Sequence, residues 1–225
     1  MSLPVRVAAL VVGVVAVVAV AVFVVIRYLL GGPPVEDYTS VASGGQVSVL
    51  MQEDPQNSVT DHPDWVSYFI KNPQTGNWDH TTDLKVPANT RVNVTILGYD
   101  GCTPLRNQLW GKVEGTIGNV EYVNGKPVSV LDSWASCAVG HTFAIPGLGL
   151  TVPVASPADP NANLCSQSPC TSGPHMTVAF SFRTPASGGD YIWQCRVPCG
   201  GGYLDGNGGP MSTVGFMTGE ILVAG

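Results

Sequence analysis

Two thiols, a thioether and an imidazole are the side chains here whose types and spacing could do chemistry. Cys195 and Cys199 are separated by three residues in Tyr191-Ile-Trp-Gln-Cys195-Arg-Val-Pro-Cys199-Gly-Gly-Gly-Tyr203, and Met211 follows in Gly-Gly-Pro-Met211. Soft thiolate and thioether ligands at the end of a strand suit copper, and imidazole is their usual partner. The loop itself holds no histidine; the imidazole most suited by its surroundings is His141, in His141-Thr-Phe-Ala-Ile-Pro-Gly-Leu-Gly. The candidate metal set is therefore His141, Cys195, Cys199 and Met211. A rival chemistry is open to the same loop, because two cysteines at this spacing among glycines can close a disulfide where no reductant competes.

The other candidates read as structure. Cys165 and Cys170 sit in Cys165-Ser-Gln-Ser-Pro-Cys170 without a nearby histidine or carboxylate, which favours a staple over a metal site. Cys102 and Cys137 complete an even count. His62 and His80 lie among Asp and Pro and read as solvated loop residues, whereas His175 could bring a second imidazole if its end of the following strand reaches the loop. Trp193 and Met217 read as core residues. Gly200-Gly201-Gly202 precedes no Lys-Ser/Thr and no helix, so it is not a phosphate cradle, and no nucleophile triad or carboxylate pair stands out. A chain of this kind is expected to serve as a non-catalytic subunit rather than as an enzyme by itself.

The elements that must position these residues are short β-branched and aromatic runs punctuated by 27 glycines and 18 prolines. Strands are expected over residues 46–51, 65–71, 91–99, 177–183, 190–194 and 216–223. Val92, Val94 and Ile96 share one face, as do Val178, Phe180 and Phe182. Residues 153–174 form a long excursion that must be tied down or mobile. This is the pattern of an antiparallel sandwich or barrel.

One segment departs in composition. Residues 7–26 are an uncharged, Val- and Ala-rich run. About 20 apolar residues match a bilayer core, so a retained transmembrane anchor is expected over residues 1–30, followed by a linker over 31–45 and an outer domain over 46–225. Arg6 and Arg27 flank the run and balance, but the six cysteines favour an oxidising, extracytoplasmic location for the large domain. The net charge of -6 shows no basic stripe and argues against nucleic acid.

Three segments resemble subunit II of haem-copper oxidases. These are Leu84-Lys-Val-Pro-Ala-Asn-Thr-Arg-Val-Asn-Val, the His141 segment quoted above, and Phe180-Ser-Phe-Arg-Thr-Pro-Ala-Ser-Gly-Gly-Asp-Tyr-Ile-Trp-Gln-Cys195, in the family's order. The resemblance implies an all-β, cupredoxin-like Greek-key sandwich with one N-terminal transmembrane helix, although many members have two. It implies one-electron transfer within a respiratory or copper-dependent membrane complex. Its partners would be other subunits, the lipid bilayer and a soluble electron-carrier protein. The family's dinuclear copper centre maps onto Cys195 and Cys199 as bridging thiolates, His141 as imidazole and the carbonyl of Val197. The pattern breaks at two positions: Tyr203 stands where a second histidine is expected, and Gly206 where the methionine is expected, leaving Met211 displaced. Two further readings follow from that break, a redox-silent docking subunit with Cys195 bonded to Cys199, and a periplasmic copper carrier.

Overall fold

A computed structural model describes residues 3–30, 32–199 and 208–225. They form two compact units, Met1–Gly32 and Pro33–Gly225. The first is helix α1 (Leu3–Leu30), whose described apolar side chains between Leu10 and Ile26 are exposed. Among the described residues no helix is long and apolar enough to cross a membrane.

The second unit is a sandwich of two sheets. One sheet runs in the order β1 (Val35–Asp37), β5 (Asp83–Pro87), β13 (Thr218–Ala224), β12 (Gly189–Gln194), β9 (Val139–Ile145), β10 (Leu150–Ala155). The other runs β4 (Trp78–Asp79), β3 (Ser67–Lys71), β2 (Gln46–Asp54), β6 (Arg91–Gly98), β11 (Met176–Arg183), β7 (Glu121–Val123), β8 (Lys126–Val128). The pairs β1–β5, β5–β13 and β2–β6 are parallel, and the other pairs are antiparallel. Outside α1 the described residues form no helix longer than a short 3-10 turn. An all-β sandwich behind an N-terminal helix is thus what the alternating sequence dictates.

The boundary expected at Gln46 is corrected. Residues 33–45 are folded into the sandwich instead of linking to it, because β1 docks in parallel on β5 and Tyr38 is buried with its N–H on the Lys85 carbonyl at 2.9 Å.

Period-two alternation sends Val92, Val94 and Ile96 inward from β6 and Val178, Phe180 and Phe182 inward from β11. From the opposite sheet Trp193 fills the centre, stacked on Phe143 at 4.7 Å and edge-on to Tyr68 at 5.0 Å. Its indole N–H donates to the Thr82 carbonyl at 2.7 Å, the partner a buried indole requires. The excursion after β10 is tied down by the Cys165–Cys170 disulfide and by Ser168, whose Oγ donates to the Gln56 carbonyl at 2.8 Å and accepts from the Ser58 N–H at 3.0 Å. A second disulfide joins Cys102 to Cys137 across a Cα separation of 5.6 Å, within the range a bridge spans without distortion.

Candidate metal centre

Strand β12 ends at Gln194, which pairs with Thr218 of β13 on one side and with Ala144 of β9 on the other. The chain then turns out of the sheet under close backbone control. The Cys195 N–H donates to the Met217 carbonyl at 2.9 Å, and the Arg196 N–H donates to Thr142 Oγ1 at 2.7 Å. The Gln194 side-chain amide donates to the Met211 carbonyl at 2.8 Å, holding the return of the loop against the strand it left. His141 comes from the neighbouring strand β9, opposite Val154 of β10.

These contacts bring all four expected ligands together. Cys195 Sγ lies 3.3 Å from Cys199 Sγ and 3.8 Å from His141 Nδ1. The Cys199 N–H points at Met211 Sδ at 3.4 Å. The Val197 carbonyl oxygen stands 3.5 Å from Cys195 Sγ, and the Thr142 N–H donates to the same sulfur at 3.4 Å. His141, Cys195 and Cys199 are all buried.

Both cysteines are free thiols, so the Cys195–Cys199 disulfide expected as one alternative is not formed. A sulfur–sulfur bond needs about 2.05 Å, and the loop holds the two sulfurs 3.3 Å apart, with Cys199 Sγ donating to Cys195 Sγ and Cys195 Sγ facing His141 Nδ1.

Burial alone would raise the Cys195 thiol and lower the imidazole; their mutual contacts overrule it. Desolvation opposes the Cys195 thiolate, but hydrogen bonds from Cys199 and His141 and the imidazole's charge hold it well below the usual thiol range. Cys199 is pushed well above that range, first by donating its proton to Cys195 and then by burial. Burial disfavours a charged His141, yet the Glu53 carboxyl and the hydrogen bond to Asp100 leave it raised well above the ordinary value. These contacts favour the thiolate form at Cys195, the form in which cysteine ligates a metal.

The donor set fits a soft metal. With metal–sulfur bonds of about 2.3 Å, a tetrahedral ion spaces two sulfurs by about 3.8 Å, so a small adjustment from 3.3 Å admits one. Two cysteine sulfurs, an imidazole and a thioether suit a soft metal such as copper or zinc over magnesium or calcium. His141, Cys195, Cys199 and Met211 would hold it, with the Val197 carbonyl beside them.

The remaining assignments divide. Tyr203 and Gly206 lie outside the described residues. His175 does not join the centre; it is exposed, turned back on the Gly173 carbonyl at 3.1 Å and set against Tyr99. His80 is corrected from a solvated residue to a half-buried one, packed on Phe69 and Phe216 and bonded to Asn57 Nδ2 at 2.7 Å; burial lowers its pKa to about 4. Trp193 and Met217 are core residues as expected. Asp54 adjoins Cys165 and Cys170, but their disulfide removes both sulfurs as ligands.

Sequence reasoning missed Glu53 and Asp100. Both stand at His141 Nε2, Asp100 Oδ2 hydrogen-bonded at 3.0 Å and Glu53 Oε1 in ion-pair contact at 3.1 Å. The available signal was Gln52-Glu53-Asp54, three polar residues continuing the apolar strand β2, all fully buried. Polar side chains in such a place require partners.

No family model and no curated protein matches the chain. Solved structures similar to it include reduced rusticyanin, at 16% identity over 88% of this chain and 93% of that one with a TM-score of 0.36. A histidine-to-methionine variant of rusticyanin has 17% identity over 84% and 82% at a TM-score of 0.35. Rusticyanin from Thiobacillus ferrooxidans has 16% identity over 88% and 91% at 0.32. Rusticyanin is a cupredoxin and a copper protein. Overlap this slight leaves the strand order and the site geometry to carry the reading of this chain.

Proposed function

We propose that the chain is a cupredoxin-type copper domain that passes single electrons, held at a membrane by its N-terminal helix and serving as a subunit of a larger respiratory or copper-dependent complex, as its resemblance to oxidase subunit II implies. The carrying observation is the convergence of the buried Cys195 Sγ, Cys199 Sγ and His141 Nδ1 at the end of β12, with the partly buried Met211 placing Sδ on the Cys199 N–H.

When bound, copper supplies a one-electron couple. The protein's part is to bind, orient and exclude. Cys195 and Cys199 offer sulfur donors from a loop pinned at both ends by the Met217 and Met211 carbonyls. Thr142 donates its N–H to Cys195 Sγ and draws off part of the sulfur's charge, an influence on potential of the kind hydrogen bonds to ligating sulfur exert. The surrounding core of Phe143, Trp193, Val197 and Met217 keeps water out.

Membrane anchoring is supported by the sequence alone, in the uncharged, Val- and Ala-rich run of residues 7–26. An extracytoplasmic domain is supported by its two disulfides. The carrier reading is disfavoured because a site that hands over its metal needs exposed ligands, and His141 and both cysteines are buried. The docking-subunit reading, which starts from the missing loop histidine, loses its expected disulfide with the free thiols.

The test is copper reconstitution of the full chain in detergent, with metal analysis and visible spectroscopy. One or two coppers per chain and an intense thiolate-to-copper band, both abolished in Cys195→Ser, are expected. Absence of bound copper, or zinc retained in its place with no visible band, overturns the redox reading.

A further inference from the structure

The two carboxyl groups at the back of His141 are unexplained by ligation alone. Glu53 is fully buried, and among the described residues its one basic neighbour is the imidazole. An ionisable group so placed is costly unless something repays it.

The backbone is built to bring the pair there. Strands β2 and β6 run parallel with Glu53 opposite Gly98, so the chain leaving β6 passes beside Glu53. The Tyr99 N–H donates to the Glu53 carbonyl at 3.0 Å, and the Asp100 N–H donates to Glu53 Oε2 at 3.4 Å. Asp100 spends Oδ1 on the Gly101 N–H at 2.7 Å, which leaves Oδ2 aimed at His141 Nε2. The same segment is then sewn to the histidine's own strand. The Thr103 N–H donates to the Val139 carbonyl at 2.8 Å, Thr103 Oγ1 donates to the Gly140 carbonyl at 3.3 Å, and Cys102 is bonded to Cys137.

We propose that Glu53 and Asp100 are positioning residues which grip Nε2–H of His141 from two elements, fixing the ring so that Nδ1 alone faces the sulfurs. The inference rests on the copper reading given above. With Nε2 occupied by two oxygens, a flipped ring would set a carbon against the carboxylates and lose both contacts. An imidazole held this way is a better donor through its other nitrogen, and removal of such a partner costs on the order of 10–100-fold in metal affinity.

The experiment uses the full chain in detergent with Glu53→Gln, Asp100→Asn and Asp100→Ala. Gln is isosteric at the buried site, and Asp100 is partly exposed, so these changes leave the sandwich folded, which the thermal transition verifies. Copper affinity by competition is expected to fall 10–100-fold in Asp100→Ala, with rescue by Asp100→Asn, and the reduction potential is expected to rise in Glu53→Gln. In metal-free protein the Nε2 proton of His141 is expected as a slowly exchanging, far-downfield resonance that moves upfield in both neutral variants. Copper binding with affinity and potential unchanged in every variant overturns the proposal while leaving the copper reading intact. A wild-type chain that takes no copper but shows the Nε2 proton and its upfield shift overturns the copper reading and supports the grip on the ring.

Discussion

The backbone N–H of Cys199 points at the thioether sulfur of Met211 at 3.4 Å, so the methionine and the second cysteine are fixed to each other before any metal arrives. Thioether donation stabilises the more highly charged oxidised metal. Met211→Leu, which keeps the volume and removes the sulfur, is expected to raise the reduction potential while the thiolate band persists. The loss of stability is expected to stay below about 1.5 kcal/mol. Cyclic voltammetry and thermal melting of the copper-loaded variant check both.

Free sulfurs 3.3 Å apart are poised for oxidation once nothing lies between them. Mild disulfide oxidant should close Cys195–Cys199 in metal-free protein, seen as a loss of two alkylatable thiols, because the Cys195 sulfur attacks the oxidant's disulfide, releasing one thiol, and Cys199 then displaces the other from the mixed disulfide, the oxidant taking both electrons. Copper-loaded protein should keep both thiols far longer under the same oxidant. Equal rates would mean that the metal does not sit on these sulfurs.

The Cys102–Cys137 bridge closes a segment with a sequence separation of 35. On the chain-entropy account its removal by Cys102→Ala with Cys137→Ala costs about 4 kcal/mol, or roughly 8–16 °C in Tm for a domain of this size. Because the bridge also fastens the Asp100 segment to β9, copper affinity should drop with stability. In Cys165→Ala with Cys170→Ala, which touches no ligand strand, affinity should hold.

Glu121 is fully buried with neither carboxyl oxygen bonded, and burial lifts its pKa to about 8 from 4.5. A carboxyl with a raised folded pKa costs nothing below its unfolded value, and its penalty grows as the pH rises through the interval. Glu121→Gln should therefore match the wild type near pH 5 and exceed it by up to roughly 4 kcal/mol near pH 8. The comparison between variant and wild type cancels the opposite, acid-side effect of His80. Denaturant midpoints at the two pH values decide it.

Much of the arrangement was legible in the chain. Alternation in residues 91–98 and 176–183 announced β6 and β11, and the spacing of Cys195 and Cys199 behind β12 announced the loop. The three-residue strands β1, β7 and β8 were illegible because pieces so short carry no periodicity and are held only by their partners. β9 hid for the opposite reason: every one of its seven residues is buried, so no polar alternation marked it. The choice between disulfide and free thiols depended on how the folded loop sets the two sulfurs beside His141, a tertiary relationship absent from local spacing. Glu53 and Asp100 escaped notice for a related reason, since 47 residues separate them and only the parallel pairing of β2 with β6 brings them together.

Strand β13 lies between β5 and β12, yet it follows both in the chain. Until it is in place, the early strands β1 and β5 share no hydrogen-bonded neighbour with the strands that carry His141 and lead to Cys195. A ribosome delivering the chain at about 5–20 residues per second exposes the histidine several seconds before that central strand. The pocket therefore closes only after β13 has joined, and the sheet that bears His141 stays in two pieces until then.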